Sequence, residues 1–306
     1  MRRAAMLGLA GLCAACVPSP QADSRNSANP AQDREVVEPI AVEQVLPEPE
    51  PEPAGPTTFV YDGELTQGGW IRGQAPAGTR SARLGEQELT LDAKGRFFAA
   101  FDRDQGPAIR LVATRADGKT IESPIAVSPR DWNIEHVDLA RNISNPSQAF
   151  LDRRRPELEA IGTARANETG SEGWRQDFVW PVKGRISGRF GSQRYYRGEA
   201  GSYHSGIDIA PGAGVAYVAP ADGVVTLARE GFSLEGGLII MDHGQGLNSA
   251  FLHSSRLLVS EGQRVKQGEP LGLVGDTGSA RGAHLHWSLK WKDARLDPLL
   301  FTGPMD

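Results

Sequence analysis

Period-two alternation is the strongest pattern in the chain. Over residues 283–291, Ala283, Leu285, Trp287, Leu289 and Trp291 fall on one side and His284, His286, Ser288 and Lys290 on the other, as on a strand with one packed face. Apolar and β-branched runs at 223–227 and 238–241, set between glycine-containing turns, extend this reading over 178–306 and predict an antiparallel β fold. Upstream, short alternating segments between 59 and 128 are broken by turn signals at 92–95 and 116–119. They predict six or seven strands, hence a small β-sandwich over 57–135. The one helical stretch, 146–166, falls in a connector spanning 136–177. Pro146 suits a first turn, while Pro156 predicts a kink or a restart. Leu151, Leu158 and Ile161 are expected on a packed face, with Arg153, Arg154 and Arg155 as a solvated charge run. The fold class expected is all-β with a connecting helix.

The N-terminus reads differently. Arg2 and Arg3 precede an apolar run over 4–15, too short for a bilayer core that needs ~20 residues, so 1–15 is expected to be a secretory signal peptide. Ala14 and Ala15 before Cys16 resemble a bacterial lipobox, which implies lipidation of Cys16; plain cleavage to a secreted protein is the alternative. Residues 17–56 hold nine prolines and eight acidic residues against two arginines. Such a stretch buries too little apolar surface to offset its ordering entropy, and 16–56 is expected to be an anchored, extended tether. The expected location is the cell envelope, on the periplasmic face of a membrane.

Composition narrows the chemistry. A net charge of −5, from 33 basic and 38 acidic residues, provides no basic footprint for nucleic acid. Both cysteines, Cys13 and Cys16, precede the folded part, so no disulfide, thiolate metal site or cysteine nucleophile is expected there. A metal would need His, Asp or Glu. Five of the six histidines lie in 178–306; His136, outside it, reads as structural.

Three segments carry the candidate site. His284 and His286 share one strand face. His204 and Asp208, four apart with Gly206 and Pro211 opposing a helix, project to one side in extended chain. His253 ends a probable strand at 248–253. An imidazole–carboxylate set suits Zn2+, and three protein ligands with one open position is a catalytic arrangement; His204, Asp208 and one later histidine would complete it. His243, in the turn-like context 241–246, is expected to be a turn residue.

Taken in order, H-x-x-x-D at 204–208, the strand-end His253 and H-x-H at 284–286 resemble the lysostaphin/LytM-type zinc metallopeptidases that cleave peptidoglycan peptides. The segments 204–210, 275–278 and 282–286 match that family's blocks, and the resemblance covers about 180–298. It implies a duplicated-hybrid-motif type β domain over 178–306, with one Zn2+ held by His204, Asp208 and His286. It further implies His253 and His284 as the catalytic pair and peptidoglycan stems as substrate. Arg189, Arg194 and Tyr203 are candidate substrate contacts, with Tyr195 and Tyr196 beside them. Two other readings compete. Some lipoprotein relatives have lost ligands and activate cell-wall amidases instead, but none of the five positions is substituted here. The periodic run 259–271 resembles biotinyl and lipoyl carriers but lacks their exposed hairpin lysine, and is expected to be structural.

Overall fold

Asp92 shows how the turn residues set the first strands. Its Oδ1 accepts the N–H groups of Lys94 (2.7 Å) and Arg96 (2.9 Å), and Gly95 takes a positive φ, closing a tight turn. The computed structural model describes residues 54–140 and 146–305; the signal segment, Cys16 and nearly all of the tether lie outside them.

Seven strands follow: β1 (Val60–Gly63), β2 (Trp70–Gln74), β3 (Thr79–Leu84), β4 (Gln87–Glu88), β5 (Arg96–Ala100), β6 (Ala108–Arg115) and β7 (Thr120–Ala126). They form two antiparallel sheets, ordered β1-β2-β5 and β4-β3-β6-β7. Strand β5 is buried on both faces. Phe97 meets Phe59 edge-on at 5.9 Å inside the sandwich, while Phe98 turns outward to Trp70, Phe301 and Trp291 at 6.3–6.4 Å. The sandwich and C-terminal cores are therefore continuous.

Next come β8 (Ile134–Val137) and α1 (Gln148–Ala166). The helix is capped by Ser147, whose Oγ accepts the Phe150 N–H at 3.2 Å. It runs as one helix through Pro156, without the restart that was one expectation. Of the expected face only Ile161 packs on the sheet, joined by Ala160 and Ala164, while Leu151 and Leu158 are exposed. Arg154 leaves the solvated run and is only 12 % exposed, paired with Glu157 and Glu235.

The C-terminal domain contains β9 (Arg185–Gly188), β10 (Gln193–Tyr196), β11 (Glu199–Ala200), β12 (Ile207–Ala210), β13 (Ala216–Val218), β14 (Gly223–Phe232) and β15 (Gly236–Gly244). After these come β16 (Leu247–Ser254), β17 (Arg256–Leu257), β18 (Arg264–Val265), β19 (Pro270–Leu273), β20 (Leu285–Trp291), β21 (Ala294–Leu296) and α2 (Leu299–Thr302). The main sheet is ordered β18-β14-β15-β16-β20-β12-β9, with β21 also on β20; β13-β19-β17 form a smaller one. Every main-sheet pair is antiparallel. One face of the large sheet packs Ile239, Met241, Phe251, Leu285 and Trp287 into the common core. The other face presents Leu238, Ile240 and Ala250 to Ala164 of α1. β8 pairs in parallel with β10, so the connector contributes a strand beside the C-terminal sheet.

Candidate metal centre

Register builds the core of the site. Antiparallel β12 and β20 set Asp208 directly opposite His286, and directly opposed residues share a face with Cβ atoms about 5 Å apart. β16 in turn opposes Leu252 to His286 and Ala250 to Ser288. Hence Asp208, His286 and Ser288 lie on the sheet face that α1 covers further along.

His204 precedes β12 and is brought back by main-chain bonds. Its N–H donates to Ser192 and its carbonyl accepts from Gly191. Its ring Nδ1–H donates to the Arg189 carbonyl at 3.1 Å, leaving Nε2 to face Asp208 Oδ1 at 3.0 Å and His286 Nδ1 at 3.1 Å. Asp208 Oδ1 lies 2.8 Å from His286 Nδ1. Burial opposes ionisation of Asp208, but hydrogen bonds from both imidazoles outweigh it and hold the carboxyl well below the usual range. Burial also depresses the His286 imidazole, despite the carboxylate beside it.

His204, Asp208 and His286 form the cluster able to hold a metal ion among the described residues. A tetrahedral ion bound at ~2.0–2.1 Å separates its donor atoms by roughly 3.3 Å, close to the spacing seen. With Nδ1–H of His204 donated to the Arg189 carbonyl, its Nε2 faces Asp208 Oδ1 and His286 Nδ1, so the three atoms converge on the position a cation would take. The donor set of two imidazoles and one carboxylate fits Zn2+.

His253 reaches the site through a bulge. Between Gly237/Ser254 and Ile239/Phe251 the β16 strand carries one extra residue, and His253 takes φ +69°. Plain alternation would send its ring to the Phe251 face; the bulge re-aims it. The ring centroid lies 4.9 Å from that of His284 and 6.3 Å from that of His286. His253 Nδ1–H donates to the Thr277 carbonyl (2.9 Å), and His284 Nδ1–H to that of Gly282 (2.8 Å), so each keeps Nε2 uncommitted by those bonds. His284 Nε2 is 3.7 Å from Asp208 Oδ1. Burial lowers the basicity of His253.

A groove of roughly 1050 Å³ adjoins the cluster, lined by Arg189, Arg194, Tyr203, His204 and Asp208 together with Glu135 from β8. Arg194 pairs with Glu135 at 2.5 Å. Tyr203 sits under Arg103 and Arg295, 4.6 and 5.3 Å from their guanidinium carbons. Tyr195 packs against His136 with ring centroids 5.2 Å apart and planes tilted by 39°, and Tyr196 also lines the groove. His243 is not a turn residue: it lies on β15, fully buried, bonded to Asp222 O (2.8 Å) and Ser249 Oγ (2.7 Å). It faces away from the cluster, toward Phe178.

Sequence reasoning gave no role to Gly188, where a Cβ would meet Asp208 Oδ2 at 2.3 Å, and read Gly206 only as opposing a helix, whereas a Cβ there would meet His286 Nε2 at 2.8 Å. Neither glycine carries a periodic signal. Thr277 was visible only as part of the 275–278 block, without a function.

Residues 202–298 match the model of Peptidase family M23. A Pseudomonas aeruginosa protein described as "Lipoprotein NlpD/LppB homolog" is 37 % identical over 129 residues, covering 42 % of this chain and 39 % of that one. The "Murein hydrolase activator NlpD" of Salmonella dublin is 36 % identical over 128 residues, covering 42 % and 31 %. The chain thus spans less than two-fifths of either relative. A P. aeruginosa crystal structure assigned to peptidase M23 superposes with a TM-score of 0.61 at 27 % identity, covering 79 % of this chain and 96 % of that one. Such coverage extends well upstream of 202–298.

Proposed function

Starting from a C-terminal peptidase family M23 domain, we propose that this protein is a zinc-dependent endopeptidase that hydrolyses peptide cross-links of peptidoglycan. Cys16 would carry the lipid that holds it at the periplasmic face of a membrane, with the tether giving reach. The observation that carries the reading is the meeting of His204, Asp208 and His286 beside two further imidazoles, His253 and His284, with none of the five replaced.

Bound Zn2+ would acidify a water molecule and polarise the scissile carbonyl. His204, Asp208 and His286 hold the ion. His204 is oriented by the Arg189 carbonyl, the kind of outer hydrogen bond that fixes a ligand's tautomer. His253 and His284 share the proton work: each has Nδ1–H committed to a main-chain carbonyl, leaving Nε2 to take a proton from the attacking water or to pass one to the leaving amine. In protonated form either ring can also donate to the developing oxyanion. Arg189, Arg194 and Tyr203 line the groove, where they would meet substrate carboxylates and stem peptides.

Mass spectrometry of muropeptides after incubation of cross-linked sacculi with the zinc-loaded protein tests this. Cross-linked dimers should fall and monomers rise, with about one zinc per chain, and His204→Ala should abolish both zinc retention and cleavage. Dimers unchanged in the presence of bound zinc would sink the reading. A second reading, a non-catalytic activator of peptidoglycan amidases, is favoured by the name of the Salmonella relative. It predicts that His204→Ala still stimulates an added amidase on the same sacculi.

A further inference from the structure

We infer that the connecting helix belongs to the working site: Arg154 and Glu157 of α1 are positioning residues that set His253 by clamping the turn at 233–235. The inference rests on the hydrolytic reading above and concerns residues outside 202–298.

His253 stands at φ +69°, a conformation that is costly for a residue with a side chain and persists only where neighbours impose it. Two hydrogen bonds do so. Its main-chain N–H donates to the Glu235 carbonyl at 2.8 Å, and its ring Nδ1–H to the Thr277 carbonyl at 2.9 Å. Both acceptors sit on loops, so the imidazole is only as well placed as those loops.

The 233–235 turn is held from the helix side. Arg154 grips the Glu235 carboxylate with both terminal nitrogens, each at 2.6 Å, and also reaches Glu157 Oε2 at 2.8 Å. Glu157 Oε1 accepts the main-chain N–H of Ser233 (2.8 Å) and its hydroxyl (2.6 Å). One helical turn therefore fastens both ends of the segment around Leu234. From the other side, Ser279 N–H donates to the Leu234 carbonyl at 2.9 Å, and Thr277 Oγ1 accepts the Gly237 N–H at 2.9 Å while donating to the Ser254 carbonyl at 3.0 Å. A Cβ on Gly236 would lie 2.2 Å from Thr277 Oγ1, so turn and loop leave no slack between them.

An ordinary surface ion pair would not set geometry. This one is bidentate, its side chains are 12–15 % exposed, and losing one partner leaves the others uncompensated. Because a misplacement of about 1 Å can cost on the order of 10²-fold in rate, a loosened turn should appear in turnover rather than in substrate affinity.

The test compares Arg154→Met and Arg154→Lys in the full chain, with Arg153→Met on the exposed side of the helix as control. Amide hydrogen exchange is read at His253, and kcat and KM on a cross-linked muropeptide. In Arg154→Met the His253 amide should exchange about tenfold or more faster. Its kcat should fall by about tenfold with KM within about twofold and zinc content unchanged; Arg154→Lys should recover most of both, and Arg153→Met should match the wild type. If Arg154→Met does not fold, Glu235→Gln, which keeps the accepting carbonyl, is read in the same way. Unchanged exchange at His253, or changed exchange with unchanged kcat, overturns the inference while leaving the hydrolytic reading intact. If the wild type cleaves nothing, the hydrolytic reading falls and exchange alone decides whether α1 clamps His253.

Discussion

Asp208 faces His286 across one antiparallel pair, and a slip of a single residue would exchange that pairing for Leu285 or Trp287 on the opposite face. Core packing of Ile207, Ile209, Leu285 and Trp287 therefore fixes two of the three candidate metal donors. The H-x-H alternation made His286 legible because period two is what a half-buried strand writes into sequence. His204 was legible by type and spacing, yet it sits before β12, not on it, and its approach depends on main-chain bonds to 189–192 that leave no pattern. His253 depends on a bulge, and bulges carry no signature without a glycine. Gly188 was illegible because what matters there is a missing atom. Gly188→Ala should push Asp208 and His204 apart and weaken zinc binding by about 10–100-fold, measured by competition with a chelator. Zinc retention equal to wild type would contradict the close approach.

At the scale of elements, the helix is instructive. Its length followed from residues 146–166, but of its expected packed face only Ile161 held. Ala160, Ile161 and Ala164 face the sheet because small side chains let helix and strands approach, while Leu151 and Leu158 stay in solvent. Pro156 removes one N–H, but it and Asp152 lie on the exposed side, where water can take the freed carbonyl. The attachment of α1 should weaken in acid. Burial raises the Glu157 pKa, but bonds from Ser233 and Arg154 outweigh that and hold it below its usual range. A folded-state pKa below the unfolded one, ~4.3, stabilises above that value and loses the contribution as pH falls through the folded pKa. Protection of 233–235 and of the α1 amides, corrected for intrinsic exchange, should decline between about pH 5 and 3. Glu157→Gln should be less protected at pH 7 and lack that decline; a wild-type profile flat to pH 3 would refute it.

For the molecule as a whole, the sandwich is fused to the C-terminal domain rather than strung beside it. Trp70, Phe98, Phe178, Trp291 and Phe301 interlock across the seam, and Gln245 Oε1 accepts the Phe98 N–H at 2.6 Å. The Phe97–Phe98 doublet in β5 breaks alternation, the mark of a strand packed on both faces, but which surface receives Phe98 is decided by tertiary packing alone. Calorimetry should show a single unfolding transition for both modules. Phe98→Ala should lower stability by about 3–5 kcal/mol, and two separated transitions in the wild type would disprove the shared core. The overall charge of −5 is likewise no guide to this surface, since residues 17–56 hold eight of the acidic residues and only two of the basic ones.

The parallel pairing of β8 with β10 carries a consequence for portability. β8 brings Glu135 to the groove wall, and α1, further along the same connector, grips the turn behind His253. A fragment cut at Phe178 would keep His204, Asp208 and His286 yet lose Glu135 from the groove wall and the brace behind His253. The transplantable cassette is thus the whole span from the first sandwich strand onward, and moving the bare histidine domain elsewhere would carry the cluster without the groove wall and the brace that surround it.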